Sequence, residues 1–289
     1  MVDFSIIIPC YNEEKSIPVV IESLLSFISS NKNNFEIIVV DDGSLDKTKK
    51  NIEKFHNDVI LISHKYNRGY GASLKTGLKN SVGKKIIFFD GDGQHDVKYL
   101  QEIINKSKEY DFIIGNRTNY LFSTIFRQPG KLFIKFLLKI LISRKIKDFN
   151  SGLKLIERNL ILSILNILPD GFSFSTTSTI AIMQKNIPFL YCDINIKKRI
   201  GKSSLKISDG FKTIMMVLNL VCLFAPLRLF ITLSLVCFIP SVYYIVNSYL
   251  LHSEASLKGI LLMIASLNFF LFGLLINQVS SIRRGEYLK

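Results

Sequence analysis

The 289-residue sequence contains no tryptophan and only four cysteines, and its acidic side chains are outnumbered by basic ones, 23 to 37. Cys10, Cys192, Cys222 and Cys237 lie far apart, with no metal-type spacing. This argues against a disulfide framework or a zinc site and suits a reducing compartment. The N-terminal stretch MVDFSIIIPCYNEE lacks the basic segment and long apolar core of a secretory signal. It reads as a first β-strand, so the N-terminal part is expected on the cytosolic side. No internal repeat or low-complexity linker interrupts the chain. The shortage of acid leaves a net charge of +14, which favours an anionic partner: nucleic acid, a phosphorylated substrate or acidic lipid.

What the C-terminal third has in abundance is apolar sequence. Neither Leu229–Leu251 nor Gly259–Val279 carries a charge. As helices each would extend roughly 30–35 Å, the thickness of a bilayer's hydrocarbon core. Two buried helices of a soluble protein are the alternative, but both stretches are apolar on every face. Arg228 precedes the first stretch and Arg283, Arg284 and Lys289 follow the second, while the link HSEASLK holds one acid and one lysine. The positive-inside rule therefore places both ends of a membrane hairpin in the cytosol. Residues 208–226 read as an interfacial helix ending at Pro226. In Arg127–Lys147, Lys131, Lys135 and Lys139 form one basic stripe, which suits either anionic headgroups or an ordinary amphipathic helix. The expected organisation is a cytosolic domain over 1–207, the juxtamembrane helix 208–226, and the hairpin with a basic tail over 227–289.

The N-terminal portion alternates strand and helix. FSIIIP, FEIIVVDD, DVILIS, KKIIFFD and DFIIGN are short apolar runs that end in turn or acidic residues. Helical spacing fills Glu14–Ser30, Leu45–Phe55, Ala72–Asn80 and Val97–Tyr110, with Ser44 and Asp96 as candidate N-caps. This is an α/β pattern of right-handed βαβ units, giving a mainly parallel sheet between helices. Sites on such sheets form at the C-terminal strand ends. The acids fall there: Glu13 and Glu14, then Asp41 and Asp42, then Asp90 and Asp92.

The last pair, in FFDGDGQH, is the most informative. Two carboxylates separated by one glycine at a strand end repel each other unless they share a cation. Oxygen ligands favour Mg²⁺ or Mn²⁺, ions that also hold substrate phosphates, and Gln94 could add another oxygen. An acidic turn is the plain alternative.

The motifs IIIPCYNEE, EIIVVDDGSLDKT, NRGYGASLKTGL and FFDGDGQH, in that order, resemble family-two glycosyltransferases of the GT-A fold. IIGNR, DFNSGLKLIER, LPDGFSFSTT and KKRIGKSSLK resemble the subgroup that loads a sugar onto a polyprenyl phosphate, such as dolichyl-phosphate mannose or glucose synthases. FAPLRLF before paired membrane helices resembles the anchored members, so the likeness spans nearly the whole chain. It implies that Pro9, Tyr11 and Glu13 hold the nucleotide, with Asp41 and Asp42 at base and ribose. It implies that Asp90 and Asp92 bind the metal on the donor diphosphate, with Gln94 beside them. Arg117 would face phosphate, and Arg199 and Lys202 would lie over a phosphate once a loop closes. Strand-end capping for Asp41 and Asp42, and solvated surface for the three basic residues, are the plainer alternatives.

The reaction so implied is inverting displacement at the sugar's anomeric carbon by a lipid-phosphate oxygen. The donor is a UDP-, GDP- or dTDP-linked sugar and the acceptor an undecaprenyl or dolichyl phosphate, in a bacterial inner membrane or the endoplasmic reticulum. Asp148, in DFNSG, is the candidate for orienting acceptor or sugar, a turn residue otherwise. Processive polysaccharide synthases rely on a Gln-x-x-Arg-Trp segment, which a chain without tryptophan lacks. The glycines of NRGYGASLKTG do not form a dinucleotide fingerprint after the first strand. A nucleic-acid binder explains the charge but neither the paired acids nor the spans. Two alternatives stay open: a family-two enzyme with a non-lipid glycan acceptor, and a catalytically silent membrane subunit of a lipid-sugar flipping system. The sequence also leaves open a homo-oligomer.

Overall fold

The computed structural model describes residues 2–118, 147–148, 150–185, 187–200, 209–252 and 256–285. Most of the basic stretch Arg127–Lys147, and Lys202, lie outside the described residues. The described residues belong to two compact units, one up to residue 200 and one from Asp209 onward.

The first unit is built on a seven-stranded sheet of order β3-β2-β1-β4-β6-β5-β7. The strands are β1 Phe4–Cys10, β2 Phe35–Asp41, β3 Ile60–Ser63, β4 Lys85–Phe88, β5 Phe112–Arg117, β6 Lys154–Glu157 and β7 Phe189–Ile194. All run in one direction except β6, which pairs antiparallel with both β4 and β5. The mainly parallel sheet expected from the sequence is present. β6 and β7 are additions to the five expected strands. In β6 a lysine breaks a four-residue apolar run, and β7 is a half-buried edge strand, so neither gives a clean period-2 signal.

β1 is central and buried along its whole length, as a strand covered on both faces must be. Helices α1 Ile17–Ser29, α2 Thr48–Glu53, α3 Tyr70–Asn80 and α4 Lys98–Lys106 follow the first four strands, and α5 Arg158–Leu162 and α6 Phe174–Met183 follow β6. α1 opens with Pro18, whose missing N–H costs nothing in a first turn, and buries Ile17, Val20, Ile21 and Leu24, an i, i+3, i+4, i+7 stripe. The expected caps are met differently. Ser44 Oγ accepts from the Asn12 N–H rather than from α2, and Asp46 Oδ1 takes the Thr48 N–H at 2.9 Å. Asp96 does accept the Lys98 N–H, at 3.1 Å.

The second unit holds three helices: α7 Asp209–Phe224, α8 Pro226–His252 and α9 Leu257–Arg284. In α8 and α9 only 11% and 17% of the most apolar window is buried, at mean hydropathies of 2.2 and 2.4. Side chains such as Val236, Leu250 and Leu275 are more than half exposed. A helix buried in a soluble core does not look like this, and a helix in lipid does. The two helices pack along a seam of small residues. Gly259, Ser266, Gly273 and Ser280 recur every seventh position on α9 and are buried. Across this seam Ser241 Oγ donates to the Gly259 carbonyl at 2.7 Å and Ser266 Oγ to the Ser234 carbonyl at 3.0 Å, while Ser280 Oγ ties α9 to α7 through the Cys222 carbonyl at 2.6 Å. Small side chains let the backbones approach closely enough for those bonds.

Candidate active site

The site residues collect at one edge of the sheet because six strands end there and β6 begins there. Tyr11 and Glu13 follow β1, Asp41 and Asp42 close β2, Asp90 and Asp92 follow β4, and Arg117 closes β5. The antiparallel β6 delivers Asp148 and Gly152 to the same edge from the opposite direction. Residues 195–200 follow β7 and run beside the acidic turn, with the Lys197 N–H on the Gln94 carbonyl at 2.8 Å and the Ile200 N–H on the Asp92 carbonyl at 3.3 Å.

Asp90 is held by two side chains. Its Oδ1 accepts from the Tyr70 hydroxyl at 2.9 Å, and His95 Nε2 lies 3.4 Å from Oδ2. Burial raises the pKa of Asp90, but the His95 hydrogen bond and charge, with Tyr70 and Arg117, outweigh it and hold the carboxyl below its usual range. For Asp92 the balance reverses. Burial and the charge of Asp90 push it up, more than the Gln94 N–H, His95 and Arg199 pull it down. A carboxylate pair in which one member is ionised and the other resists ionisation is short of positive charge. Gly93, between the pair and Gln94, has φ +76°, a backbone form that suits glycine. Gly152 lies so close to Asp90 that a Cβ there would overlap Oδ2.

Two arginines reach this edge. Arg117 grips Asp148 in a two-point fork, Nε to Oδ2 at 2.6 Å and Nη2 to Oδ1 at 3.0 Å, and Asp148 also accepts the Asn150 N–H at 3.1 Å. Arg199 Nη2 pairs with Glu13 Oε1, and its buried Nε has no partner among the described residues. Glu13 Oε2 takes the Ser16 hydroxyl at 2.7 Å. The expected residues Glu13, Asp90, Asp92, Gln94, Arg117, Asp148 and Arg199 are therefore gathered at one place. The side chain of Gln94 turns toward the Lys197 carbonyl, 3.4 Å away.

Asp41 and Asp42 are both buried but differ. Asp41 Oδ1 accepts the Ser44 N–H at 3.2 Å. Asp42 is engaged by the protein through both oxygens: His64 Nδ1 at 2.6 Å, the Arg68 N–H at 2.9 Å and the Gly69 N–H at 2.8 Å. It anchors the NRGYG turn that leads into α3. Tyr11 is partly exposed, and Pro9 occupies β1 opposite Val40.

Three groups were not singled out in the sequence. Tyr70 follows Gly69 in NRGYG, whose φ of +103° suits glycine, and burial together with the Asp90 charge pushes its phenol well up, so it stays a donor. Its ring stacks on the exposed Phe172, centroids 5.8 Å apart. His95 closes FFDGDGQH and carries a buried Nδ1 with no partner among the described residues. Lys154, the first residue of β6, is 1% exposed, and burial brings its ammonium down to about 7 although Asp148 and Asp90 favour the charge. Its signal in the sequence is a lone lysine in the apolar run Leu153–Ile156.

No cluster of three or more His, Cys, Asp or Glu side chains able to hold a metal occurs among the described residues. The donor set nevertheless fits Mg²⁺ or Mn²⁺, which are commonly held by one or two carboxylates while substrate phosphates complete the shell. Asp92 Oδ2 accepts no hydrogen bond from the described residues and is available to such an ion.

The profile of Glycosyl transferase family 2 matches residues 5–165, and that of the GtrB C-terminal hairpin matches residues 225–282. The UDP-N-acetylglucosamine–dolichyl-phosphate N-acetylglucosaminyltransferase of Methanococcus voltae is 32% identical over 66% of this chain and 84% of its own. The human dolichyl-phosphate beta-glucosyltransferase is 31% identical over 53% of this chain, which spans about half of that relative, 54%. An undecaprenyl-phosphate 4-deoxy-4-formamido-L-arabinose transferase of Photorhabdus laumondii is 26% identical over 56% of this chain and 51% of its own. Among solved structures, glucosyl-3-phosphoglycerate synthase of Mycobacterium tuberculosis with Mn²⁺, UDP and glucosyl-3-phosphoglycerate aligns over 76% of this chain and 80% of its own. The TM-score is 0.60 at 16% identity, a likeness of fold alone.

Proposed function

The chain belongs to glycosyl transferase family 2, and on that footing we propose that it moves a sugar from a nucleotide-diphosphate sugar to a polyprenyl phosphate at the cytosolic face of a membrane. The observation that carries this reading is the Asp90–Asp92 pair, with Arg199 and Arg117 brought to the same sheet edge. Like charges short of a cation, set among arginines, suit a metal-bound diphosphate. The named relatives, whose names specify dolichyl phosphate or undecaprenyl phosphate, and the apolar hairpin support the choice of acceptor.

Pro9, Tyr11, Glu13 and Asp41 would cradle the nucleoside. Asp42 would act behind them by fixing the NRGYG turn. Asp90 and Asp92 would hold Mg²⁺ or Mn²⁺, which when bound supplies the positive charge that stabilises the departing nucleoside diphosphate. Arg199, with one nitrogen on Glu13 and its Nε without a partner among the described residues, would take a phosphate oxygen. A phosphate monoester acceptor is already ionised near neutral pH, since its second pKa is about 6. No strong general base is then required. Asp148, with both oxygens on Arg117, would orient that guanidinium toward the acceptor phosphate rather than take a proton.

Both ends of the hairpin would lie in the cytosol with the short α8–α9 link outside. A Ser253→Cys thiol should react with an impermeant reagent added from the non-cytosolic side, and labelling from the cytosolic side would reverse the orientation. The deciding experiment offers purified full-length protein a panel of radiolabelled nucleotide sugars, with Mg²⁺ or Mn²⁺ and polyprenyl phosphate. Label should enter the lipid with one donor class. No labelled lipid from any donor would overturn the enzymatic reading in favour of a silent membrane subunit, and label in an added glycan only would redirect it to a non-lipid acceptor.

A further inference from the structure

Lys154 occupies a place where the sheet pattern requires an apolar side chain. Its register partners are Phe88 on β4 and Ile114 on β5, and it is sealed from solvent. Its Nζ donates to the Ser175 main-chain carbonyl in the first turn of α6. That carbonyl also accepts from Ser178 Oγ at 3.1 Å and Thr179 Oγ1 at 2.9 Å. No carboxylate among the described residues lies within ion-pair distance of Nζ. An enclosed ammonium without a counter-ion costs more free energy than one hydrogen bond returns, and a methionine would fill similar volume without that cost. Fold stability therefore does not account for this lysine.

Its surroundings do. Two residues before it, Gly152 lies against the Asp90 carboxylate, and Asp148 opens the same segment. Ser175, whose carbonyl holds Nζ, has its Oγ 3.5 Å from the Tyr70 hydroxyl, which in turn donates to Asp90 Oδ1 at 2.9 Å. The charged groups that act on Lys154 are Asp90 beyond β4, Arg117 at the end of β5 and Asp148 ahead of β6, and Tyr70 on α3 reaches it only through Ser175. The two acids favour the ammonium, while burial and Arg117 oppose it.

We propose that Lys154 is a positioning residue of the nucleotide-sugar site, a buried cation that acts through Ser175 and Tyr70 to fix the Asp90 carboxylate and adds positive charge on the protein side of the acidic pair. The inference rests on the reading of that edge as a nucleotide-sugar site. It separates two quantities that usually fall together, because removing the charge relieves the fold and impairs the site.

The test uses full-length Lys154→Met in detergent beside the wild type, at about pH 6, where the lysine carries its charge. Thermal stability is measured in EDTA, the UDP dissociation constant with Mn²⁺ by calorimetry, and turnover with the donor and lipid that the wild type uses. Where UDP is not the nucleotide recognised, GDP or dTDP replaces it. Under the proposal the variant unfolds at an equal or higher temperature, binds the nucleotide about tenfold more weakly and turns over at least tenfold more slowly. A folded variant with affinity and turnover within twofold of wild type overturns it. If Lys154→Met does not fold, Lys154→Gln, which keeps a donor for Ser175 and loses only the charge, is judged by the same affinity and turnover criteria. Failure of both to fold would assign the lysine to the fold and also overturn the proposal. Wild-type protein that binds no nucleoside diphosphate removes the underlying reading, whereas wild-type binding matched by the variant removes only this inference.

Discussion

Asp92 and Lys154 are each held against their own electrostatic preference, and each yields a measurable consequence. Asp92→Asn removes one of two repelling carboxylates, so metal-dependent turnover should fall by orders of magnitude while the unfolding temperature in EDTA stays level or rises. Unchanged turnover would withdraw Asp92 from the metal site. For Lys154 the sign follows from proton counting. The unfolded lysine keeps its proton to about pH 10.4, whereas the folded one loses it near 7, so the unfolded state binds more protons between those values. Stability should therefore rise with pH from about 7 toward 10, by at most ~4–5 kcal/mol from this group, and its full cost is present below 7. Calorimetry of wild type and Lys154→Met across that range should show a steeper rise in the wild type. Gly152→Ala is the third case. Its methyl would overlap Asp90 Oδ2, so the carboxylate must move, and turnover should drop by tenfold or more, as misplacements of about 1 Å do. Circular dichroism should show the fold intact.

At the scale of elements, β6 decides the layout of the site. An antiparallel strand between β4 and β5 begins at the edge where its neighbours end, so Asp148 and Gly152 meet residues that lie far from them in the chain. A wholly parallel sheet would have put them at the opposite edge. The α8–α9 seam is the other decisive element. Gly273 has Phe230 Cβ 2.7 Å from where its own Cβ would stand, and Ser266 bonds to Ser234 across the helices. Gly273→Leu should splay the pair and lower hairpin stability by about 1–3 kcal/mol, the usual cost of overpacking. Cross-linking of cysteines placed across the seam at 234 and 266 would report it as a lost disulfide.

At the scale of the whole molecule, anchoring and chemistry reside in separate stretches of chain. Deleting residues 227–289 should convert a protein that only detergent extracts into one released by salt or alkaline washing. Persistence in the detergent fraction would make the basic stretch Arg127–Lys147 an anchor in its own right. The division follows from composition. The first unit alternates strand and helix around a charged edge, and the second carries apolar surface that water would not tolerate on a monomer at such extent.

The sequence by itself determined the α/β alternation, the parallel core of the sheet, the hairpin and the acids at the strand ends. Each of these rests on local periodicity or on runs of one residue type, which a single stretch of chain displays in full. Only the tertiary structure decided that Asp42 turns inward to the NRGYG turn while Asp41 has one oxygen on its own loop, that Asp148 grips Arg117, and that Tyr70, His95 and Lys154 stand around Asp90. Those relations depend on the direction of β6 and on which strands lie side by side, and strand order is fixed by burial across the whole sheet rather than by any one segment.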